Sequence, residues 1–131
     1  MFESQMILTR GFQNVYENGQ PIGFQILLKT AYYRGVFLDI IGTIEIAVDN
    51  TKYSRNQLRL TVNGRTFTMD EAGRTENVHW DFGTPMIVTV LAPGGLKPGL
   101  HEVLVTQGMN PSYVPPNLFR ATGHKRITLV V

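Results

Sequence analysis

The sequence predicts an all-β protein: a sandwich of two antiparallel β-sheets, immunoglobulin-like or of the jelly-roll kind, with about eight or nine strands. Three observations favour this class. Apolar and polar residues alternate with a period of two through most of the 131 residues, as they do in strands with one buried face. Gly, Pro and Asn cluster between these runs, as they do in turns. No long stretch of the chain has a convincing helical spacing of apolar side chains.

The first strands are predicted between residues 22 and 50. Residues 22–29 (IGFQILLK) alternate, and their inward side chains would be Ile22, Phe24, Ile26 and Leu28. Residues 36–50 repeat the pattern with apolar side chains at most even positions. This second run indicates either one long strand or two strands joined near Gly42, where a glycine can allow a bulge or a bend.

A β-hairpin is predicted next, and it ends near residue 69. The inward side chains of its first strand would be Leu58, Leu60 and Val62. Asn63-Gly64 follows, and both residues tolerate the positive φ angles of a type I′ turn between two strands. Residues 65–69 (RTFTM) then form the second strand.

Three further strands are predicted in the second half of the chain. Residues 86–92 (MIVTVLA) are apolar on both faces apart from one threonine, which predicts a central strand buried on two sides. A turn rich in Gly and Pro at residues 93–99 leads to a strand at residues 100–107, and residues 125–131 form the last strand. Residues 69–78 have room for at most one short helical turn, because a glycine interrupts them.

Composition indicates one globular domain over residues 1–131, because 43% of the residues are hydrophobic and 17% are charged. The net charge is only +2, and the basic residues outside Lys125-Arg126 are scattered among acids, which argues against a nucleic-acid-binding face.

There are no cysteines, which excludes disulfides, thiolate zinc sites and a cysteine nucleophile. No apolar run approaches a membrane span, and residues 1–12 lack a signal-peptide pattern, so we expect a cytoplasmic protein.

Histidines are the first candidates for chemistry. His79 and Asp81 flank Trp80 and would share one face of a strand, where they could form a histidine–carboxylate pair or half of a metal site. We favour the alternative in which both are solvated at a strand edge while Trp80 packs inward. His101 and Glu102 are adjacent and would point to opposite faces of a strand, so they cannot share a metal ion.

The remaining candidates are weaker. His124 is predicted at the start of the last strand, beside Lys125 and Arg126. The carboxylate of a partner could dock there, although a solvated strand end is the favoured alternative. Nucleophile-elbow, phosphate-loop and dinucleotide-binding motifs do not occur in the sequence. Sequence patterns therefore give no catalytic constellation in this chain.

Two connecting segments carry more aromatic surface than turns require. Residues 108–123 form a predicted connection of about sixteen residues, whereas hairpin connections usually take about two to five. The predicted contact residues are Met109, Tyr113, Leu118, Phe119 and Arg120 in this connection, and Tyr32, Tyr33 and Arg34 in residues 30–35. Because such residue types are enriched in protein interfaces, we expect them to contact a partner subunit or to form the rim of a shared pocket. The alternative is that both segments pack over an open end of the sandwich.

Four segments, taken in order, carry a family resemblance. The chain starts with MFESQMILTRGFQNV and contains GTIEIAVDN at residues 42–50 and LKPGLHEVLV at residues 96–105. A late loop with Pro and Tyr then precedes the terminal HKRITLVV. Together with the size of the chain, this order resembles the small β subunit of bacterial C-glycoside deglycosidases over nearly the whole length.

The resemblance implies a β-sandwich in a tight hetero-oligomeric complex with a larger α subunit. That subunit would be a TIM barrel similar to sugar isomerases, and it would carry a divalent metal, commonly manganese, with the catalytic histidine and carboxylates. The complex would act as a lyase on the carbon–carbon bond between a 3-oxo sugar and a flavonoid-type aglycone. No catalytic residue and no cofactor of the family map onto this chain, which would be an accessory subunit.

Two other functions stay open at this point. The first is a stand-alone carbohydrate- or ligand-binding sandwich, in which Trp80, Tyr32 and Tyr33 stack on a sugar. The second is a self-sufficient metal-dependent enzyme that uses His79 and Asp81. Binding of glucosides by the isolated chain would favour the first, and metal in the isolated chain would favour the second.

Overall fold

The structure, a computed structural model, describes residues 6–30, 36–38, 41–75, 78–81, 83–109 and 119–129. This part of the chain contains eleven strands and one α-helix. In chain order the elements are β1 (Gln13–Glu17), β2 (Gln20–Leu28), β3 (Val36–Phe37), β4 (Ile41–Val48), β5 (Thr51–Lys52), β6 (Leu58–Val62), β7 (Arg65–Thr68), α1 (Met69–Arg74), β8 (His79–Trp80), β9 (Met86–Leu91), β10 (Gly99–Met109) and β11 (Phe119–Leu129).

Two large sheets pack face to face, which confirms the all-β sandwich predicted from the sequence. The strand order is β1-β2-β9-β6-β7 in the five-stranded sheet and β11-β10-β4-β5 in the four-stranded sheet. A separate two-stranded ribbon is formed by β3 and β8. Every pairing in the three sheets is antiparallel. The strands β1 and β11 are therefore edge strands of the two sheets.

The core lies between the two sheets and is built from alternate residues of the facing strands. The three inward side chains predicted for β6 are buried, and so are three of the four predicted for β2, whereas Ile22 is half-buried. In β10, Val103 and Val105 are fully buried, while Leu100 and Leu104 point to the other face and are exposed. The period-two pattern thus identifies the core-facing side of each strand.

The predicted hairpin is confirmed at β6 and β7. Its turn residues Asn63 and Gly64 have φ angles of 54° and 78°, the left-handed values that a type I′ turn requires. Residues 36–50 form two strands rather than one, as the second alternative had it. They separate because β3 pairs with β8, whereas β4 pairs with β10 and β5.

Two details of the prediction are wrong. β9 is central, but it is not buried on two sides: Met86, Val88 and Val90 are fully buried, while the residues between them are half-buried on the outer sheet face. The chain also contains a helix, α1, where at most one turn was expected. A capping box stabilises it, since the Thr68 hydroxyl accepts from the backbone N–H of Glu71 and the Glu71 carboxylate accepts from the N–H of Thr68.

The strands around the predicted long connection are longer than expected. β10 continues to Met109 and β11 begins at Phe119, so the connection is confined to residues 110–118 rather than residues 108–123. Gly108 did not end the strand, because it is buried within β10 opposite β4 and β11. His124 is consequently in the middle of β11 and not at a strand start, which corrects the position predicted for it.

Candidate functional site

The strand ends that flank the predicted interface segments lie at one end of the sandwich. Gln107 in β10 is buried and donates from Nε2 to the carbonyl oxygen of Lys29, just after β2, at 2.9 Å. This bond places the end of β2 beside the end of β10. Thr30 and Met109, the last described residues before positions 31–35 and 110–118, therefore lie at the same end of the sandwich, which we call the loop end.

The predicted contact residues fall into two groups. Those outside the described part of the chain are Tyr32, Tyr33, Arg34, Tyr113 and Leu118. Met109, Phe119 and Arg120 belong to the paired strands of the β10–β11 hairpin, where Met109 is opposite Phe119 and Arg120 is opposite Gly108. The backbone of the hairpin thus carries these three to the loop end, and the contact role of all eight residues stays a prediction.

The β3–β8 ribbon lies at the loop end as well. The side-chain Nδ2 of Asn63, in the turn after β6, donates to the carbonyl oxygen of His79 in β8 at 3.3 Å. The end of β6 lies beside the start of β9, which in turn pairs with the end of β2. The ribbon therefore lies at the same end of the sandwich as the described ends of β2 and β10.

The ribbon presents an aromatic and histidine cluster to solvent. His79 donates from Nδ1 to Oδ1 of Asp81 at 2.5 Å, and both side chains are solvent-accessible. Phe37 is 46% exposed and packs edge-to-face against the His79 ring, with ring centroids 4.9 Å apart. Trp80 is fully buried, and its Nε1 donates to the carbonyl oxygen of Thr84 at 3.0 Å. Trp80 packs inward, as the favoured alternative had it. His79 and Asp81 are solvent-accessible, but they also form the pair that the sequence analysis did not favour.

This cluster holds the imidazole of His79 in one orientation. The Asp81 carboxylate accepts from Nδ1 and the Phe37 ring limits rotation, while Nε2 has no hydrogen-bond partner among the described residues. A histidine oriented in this way can accept or donate one hydrogen bond through Nε2. Within the described residues, no group of three or more His, Cys, Asp or Glu side chains comes together in a way that could hold a metal ion.

A second histidine pair was not predicted. His101 in β10 donates from Nδ1 to Oδ2 of Asp49, in the turn after β4, at 2.6 Å, and its Nε2 is 2.6 Å from the carbonyl oxygen of Lys97. The other carboxylate oxygen of Asp49 accepts from the backbone N–H of Glu102 at 2.9 Å. No local motif signals a pair separated by 52 positions; the available signal was the turn-forming Asp49-Asn50, where both residues have positive φ angles.

The environment of this pair shifts both pKa values. Burial lowers the pKa of His101, but the Lys97 carbonyl and the Asp49 carboxylate outweigh burial, so its pKa is raised above 6.5. The backbone N–H of Glu102, followed by His101, holds the pKa of Asp49 below 3.8. The two shifts favour a charged pair at mildly acidic pH.

The third histidine, His124, belongs to an ion cluster on the outer face of the four-stranded sheet. Its Nε2 is 3.8 Å from Oε2 of Glu102. The other carboxylate oxygen, Oε1, accepts from Nε of Arg126 at 3.1 Å and is 3.1 Å from Nη2 of the same guanidinium. Lys125 points to the other face and donates to the carbonyl oxygen of Ile7 at 2.9 Å. The basic cluster predicted from the sequence is thus divided between two faces of β11, and Glu102 of the same chain pairs with the part on the outer face.

No helix in the described residues combines the length and the apolar character that spanning a membrane requires. The fold and the loop end together define a β-sandwich protein with an exposed aromatic–histidine cluster at one end.

Comparison with known proteins extends this description. A model of one protein family, described as C-glycoside deglycosidase beta subunit, matches residues 2–113. A C-glycoside deglycosidase beta subunit of Eubacterium cellulosolvens is 37% identical over 115 residues, which cover 87% of this chain and 78% of the relative. A 3'-dehydrocarminate deglycosidase beta subunit of a Microbacterium species is 32% identical over 95 residues, which cover 71% of this chain and 70% of the relative.

The chain therefore belongs to the family of C-glycoside deglycosidase beta subunits. This confirms the resemblance found in the sequence. The word "subunit" in the names of both relatives implies a hetero-oligomer with a second kind of chain.

Proposed function

We propose that this chain is the accessory subunit of a bacterial C-glycoside deglycosidase and that the catalytic groups reside in a larger α subunit. The observation that carries the proposal is the 37% identity to a C-glycoside deglycosidase beta subunit over 87% of the chain.

The proposed reaction is the elimination of an aromatic aglycone from an oxidised sugar. A carbonyl at C3 acidifies the proton at C2, so a base can remove that proton and the C1–C2 double bond can form. The electron pair of the C1–aglycone bond then leaves with the aglycone carbon, which takes up a proton. The name of the Microbacterium relative supports an oxidised substrate, because that protein is named for a 3'-dehydro compound.

The partner in this proposal is a TIM-barrel α subunit similar to sugar isomerases. It would hold a divalent metal, commonly manganese, and the metal would supply Lewis-acid stabilisation of the C3 oxyanion. The β-sandwich would stabilise the barrel and supply contact surface near its pocket, with the loop end as the first candidate. The complex would work in the bacterial cytoplasm on flavonoid-type C-glycosides.

The test is to purify the chain alone, the α subunit alone and the two together, and to assay each with a 3-oxo flavone C-glucoside. We expect release of the aglycone by the complex and none by the isolated β chain. Turnover by the isolated β chain would refute the accessory role. Calorimetry of the isolated chain with an unoxidised glucoside is the companion measurement, since binding there would favour a stand-alone carbohydrate-binding sandwich.

A further inference from the structure

An open groove lies at the side of the sandwich where the edge strands of the two sheets face each other. It is lined by residues 9–14, by Tyr16 of β1 and by Thr128 of β11, and its volume is about 450 Å³. Phe12 is buried beneath it and packs edge-to-face on Phe24 and on His101, with ring centroids 6.3 and 5.9 Å apart. Both sheets therefore support the floor of the groove.

The wall of the groove formed by β1 is held rigidly. The Asn14 side chain donates from Nδ2 to the carbonyl oxygen of Leu96 at 2.8 Å and accepts from the N–H of Leu96 at 2.9 Å. Its amide is thus used by the fold and is not available for hydroxyl groups of a sugar. Among the described residues that line the groove, Arg10 is the charged one.

Arg10 is the cation of the groove. It has no salt bridge or hydrogen bond to any side chain of the described residues, whereas Arg126 nearby on β11 is paired with Glu102. A guanidinium at the mouth of a groove, with no acidic partner among the described residues, is complementary to a carboxylate from another molecule.

Two exposed apolar side chains flank the groove. Leu100 and Tyr16, at 62% and 54%, are the most exposed of the large hydrophobic side chains in the described part of the chain. Tyr16 lines the groove, and Leu100 is the cross-strand neighbour of Thr128, which lines the opposite wall. Tyrosine and arginine, which line the groove together, are among the residue types that anchor protein partners.

The edge strand beside the groove is long. β11 pairs with β10 over eleven residues, and no described strand pairs with its outer edge. A strand edge that no described strand covers can offer backbone hydrogen bonds to an extended segment of another chain.

We propose that this groove binds an extended acidic segment of the larger subunit. A carboxylate of that segment pairs with Arg10, an apolar side chain contacts Tyr16 and Leu100, and the segment runs along β11. The identity of the partner rests on the proposed function; the location and chemistry of the surface rest on the groove itself.

The experiment measures the affinity of the full-length chain for the purified larger subunit by calorimetry. Arg10→Glu and Tyr16→Ala are the groove variants. Lys52→Glu is the matched control. Lys52 is an exposed cation on β5, which is the edge strand of the four-stranded sheet opposite β11. We expect each groove variant to raise the dissociation constant about tenfold and the control to change it less than about twofold. Circular dichroism establishes that the variants are folded.

Hydrogen exchange of the wild-type complex provides the second measurement. Amides of residues 9–16 and 119–129 should exchange more slowly in the complex than in the isolated chain. Unchanged affinity in both groove variants, or protection confined to other surfaces, would overturn the proposal while leaving the subunit role intact. Failure of the wild-type chain to bind the larger subunit at all would refute the proposed function instead. Binding of a glucoside by the isolated chain that Tyr16→Ala abolishes would mark the groove as a small-molecule site and would also overturn the proposal.

Discussion

His101 and Asp49 are joined across 52 positions of sequence by a hydrogen bond of 2.6 Å from Nδ1 to Oδ2. The other ring nitrogen of His101 is 2.6 Å from the carbonyl oxygen of Lys97. Both ring nitrogens face acceptors, so the imidazole satisfies both when it carries two protons. The pair connects the turn after β4 with β10 and with the turn before it.

We predict that this pair stabilises the fold most strongly between about pH 4 and pH 6.5. Because the pKa of His101 is raised in the folded state, its ion pair adds fully to the free energy of unfolding below about pH 6.5. This stabilisation is lost as the pH rises through the pKa that His101 has in the folded protein. Because the pKa of Asp49 is lowered in the folded state, its carboxylate stabilises the fold above about pH 3.8. This stabilisation is lost as the pH falls through the pKa that Asp49 has in the folded protein. The two conditions overlap at mildly acidic pH.

Urea unfolding of a double-mutant cycle with His101→Phe and Asp49→Asn measures this coupling. Because the Asp49 side chain is half-exposed, screening limits the coupling to about 1 kcal/mol at pH 5.5, and it should fall below half of that at pH 9. A coupling energy that is equal at the two pH values would contradict the charged pair.

The second prediction concerns Asn14 and Gly95. Asn14→Ala removes both hydrogen bonds to Leu96 and should lower the free energy of unfolding by about 1–2 kcal/mol. Gly95→Ala should also destabilise, because Gly95 has a φ angle of 61° and an added Cβ would lie 2.5 Å from Oδ1 of Asn14. In the Asn14→Ala background the clash between the added Cβ and the Asn14 side chain is absent. Gly95→Ala should therefore lower the free energy of unfolding by less than it does in the wild type. Additive effects in denaturant unfolding would argue against this contact.

The third prediction concerns metal at His79 and Asp81. The isolated chain should contain no stoichiometric manganese, because two side chains, one of which is engaged by the other, are too few for tight binding of a cation that prefers several oxygen and nitrogen ligands. Elemental analysis of the isolated chain checks this. Chelator treatment should leave its melting temperature unchanged and should abolish turnover by the complex. If manganese copurifies with the isolated chain and is lost in the His79→Gln variant, the prediction is wrong and His79 is a metal ligand.

Local chemistry made much of the fold predictable from the sequence. The Asn63-Gly64 turn and the buried face of β6 follow from side chains that are neighbours along the chain. Helix α1 was missed because its stability comes from the Thr68 capping box and from burial of Met69 and Ala72, which a glycine within the helix obscured. The burial of β9 was overestimated because an apolar outer face does not reveal whether another layer covers it.

The candidate site was predictable to a smaller extent. The His79–Asp81 pair could be found because two residues on one strand face are two positions apart. The Asp49–His101 pair and the groove at Arg10 could not be found, because both are created by the pairing of distant strands. The exposed Phe37 beside His79 depends on the pairing of β3 with β8, which no periodicity reveals.

The last prediction concerns the β10–β11 connection. If residues 110–118 and the adjoining strand ends contact the larger subunit, Tyr113→Ala combined with Phe119→Ala should weaken assembly or lower turnover by at least about tenfold, since large aromatic side chains dominate interface energies. Leu104→Ala is the control, because Leu104 is 41% exposed on the outer face of β10 and is remote from the loop end. Size-exclusion chromatography of the mixed subunits and aglycone release from a 3-oxo flavone C-glucoside are the two measurements. If the double variant assembles and turns over like the control, the loop end is not part of the interface, and contact between the subunits must be sought at the groove beside β11.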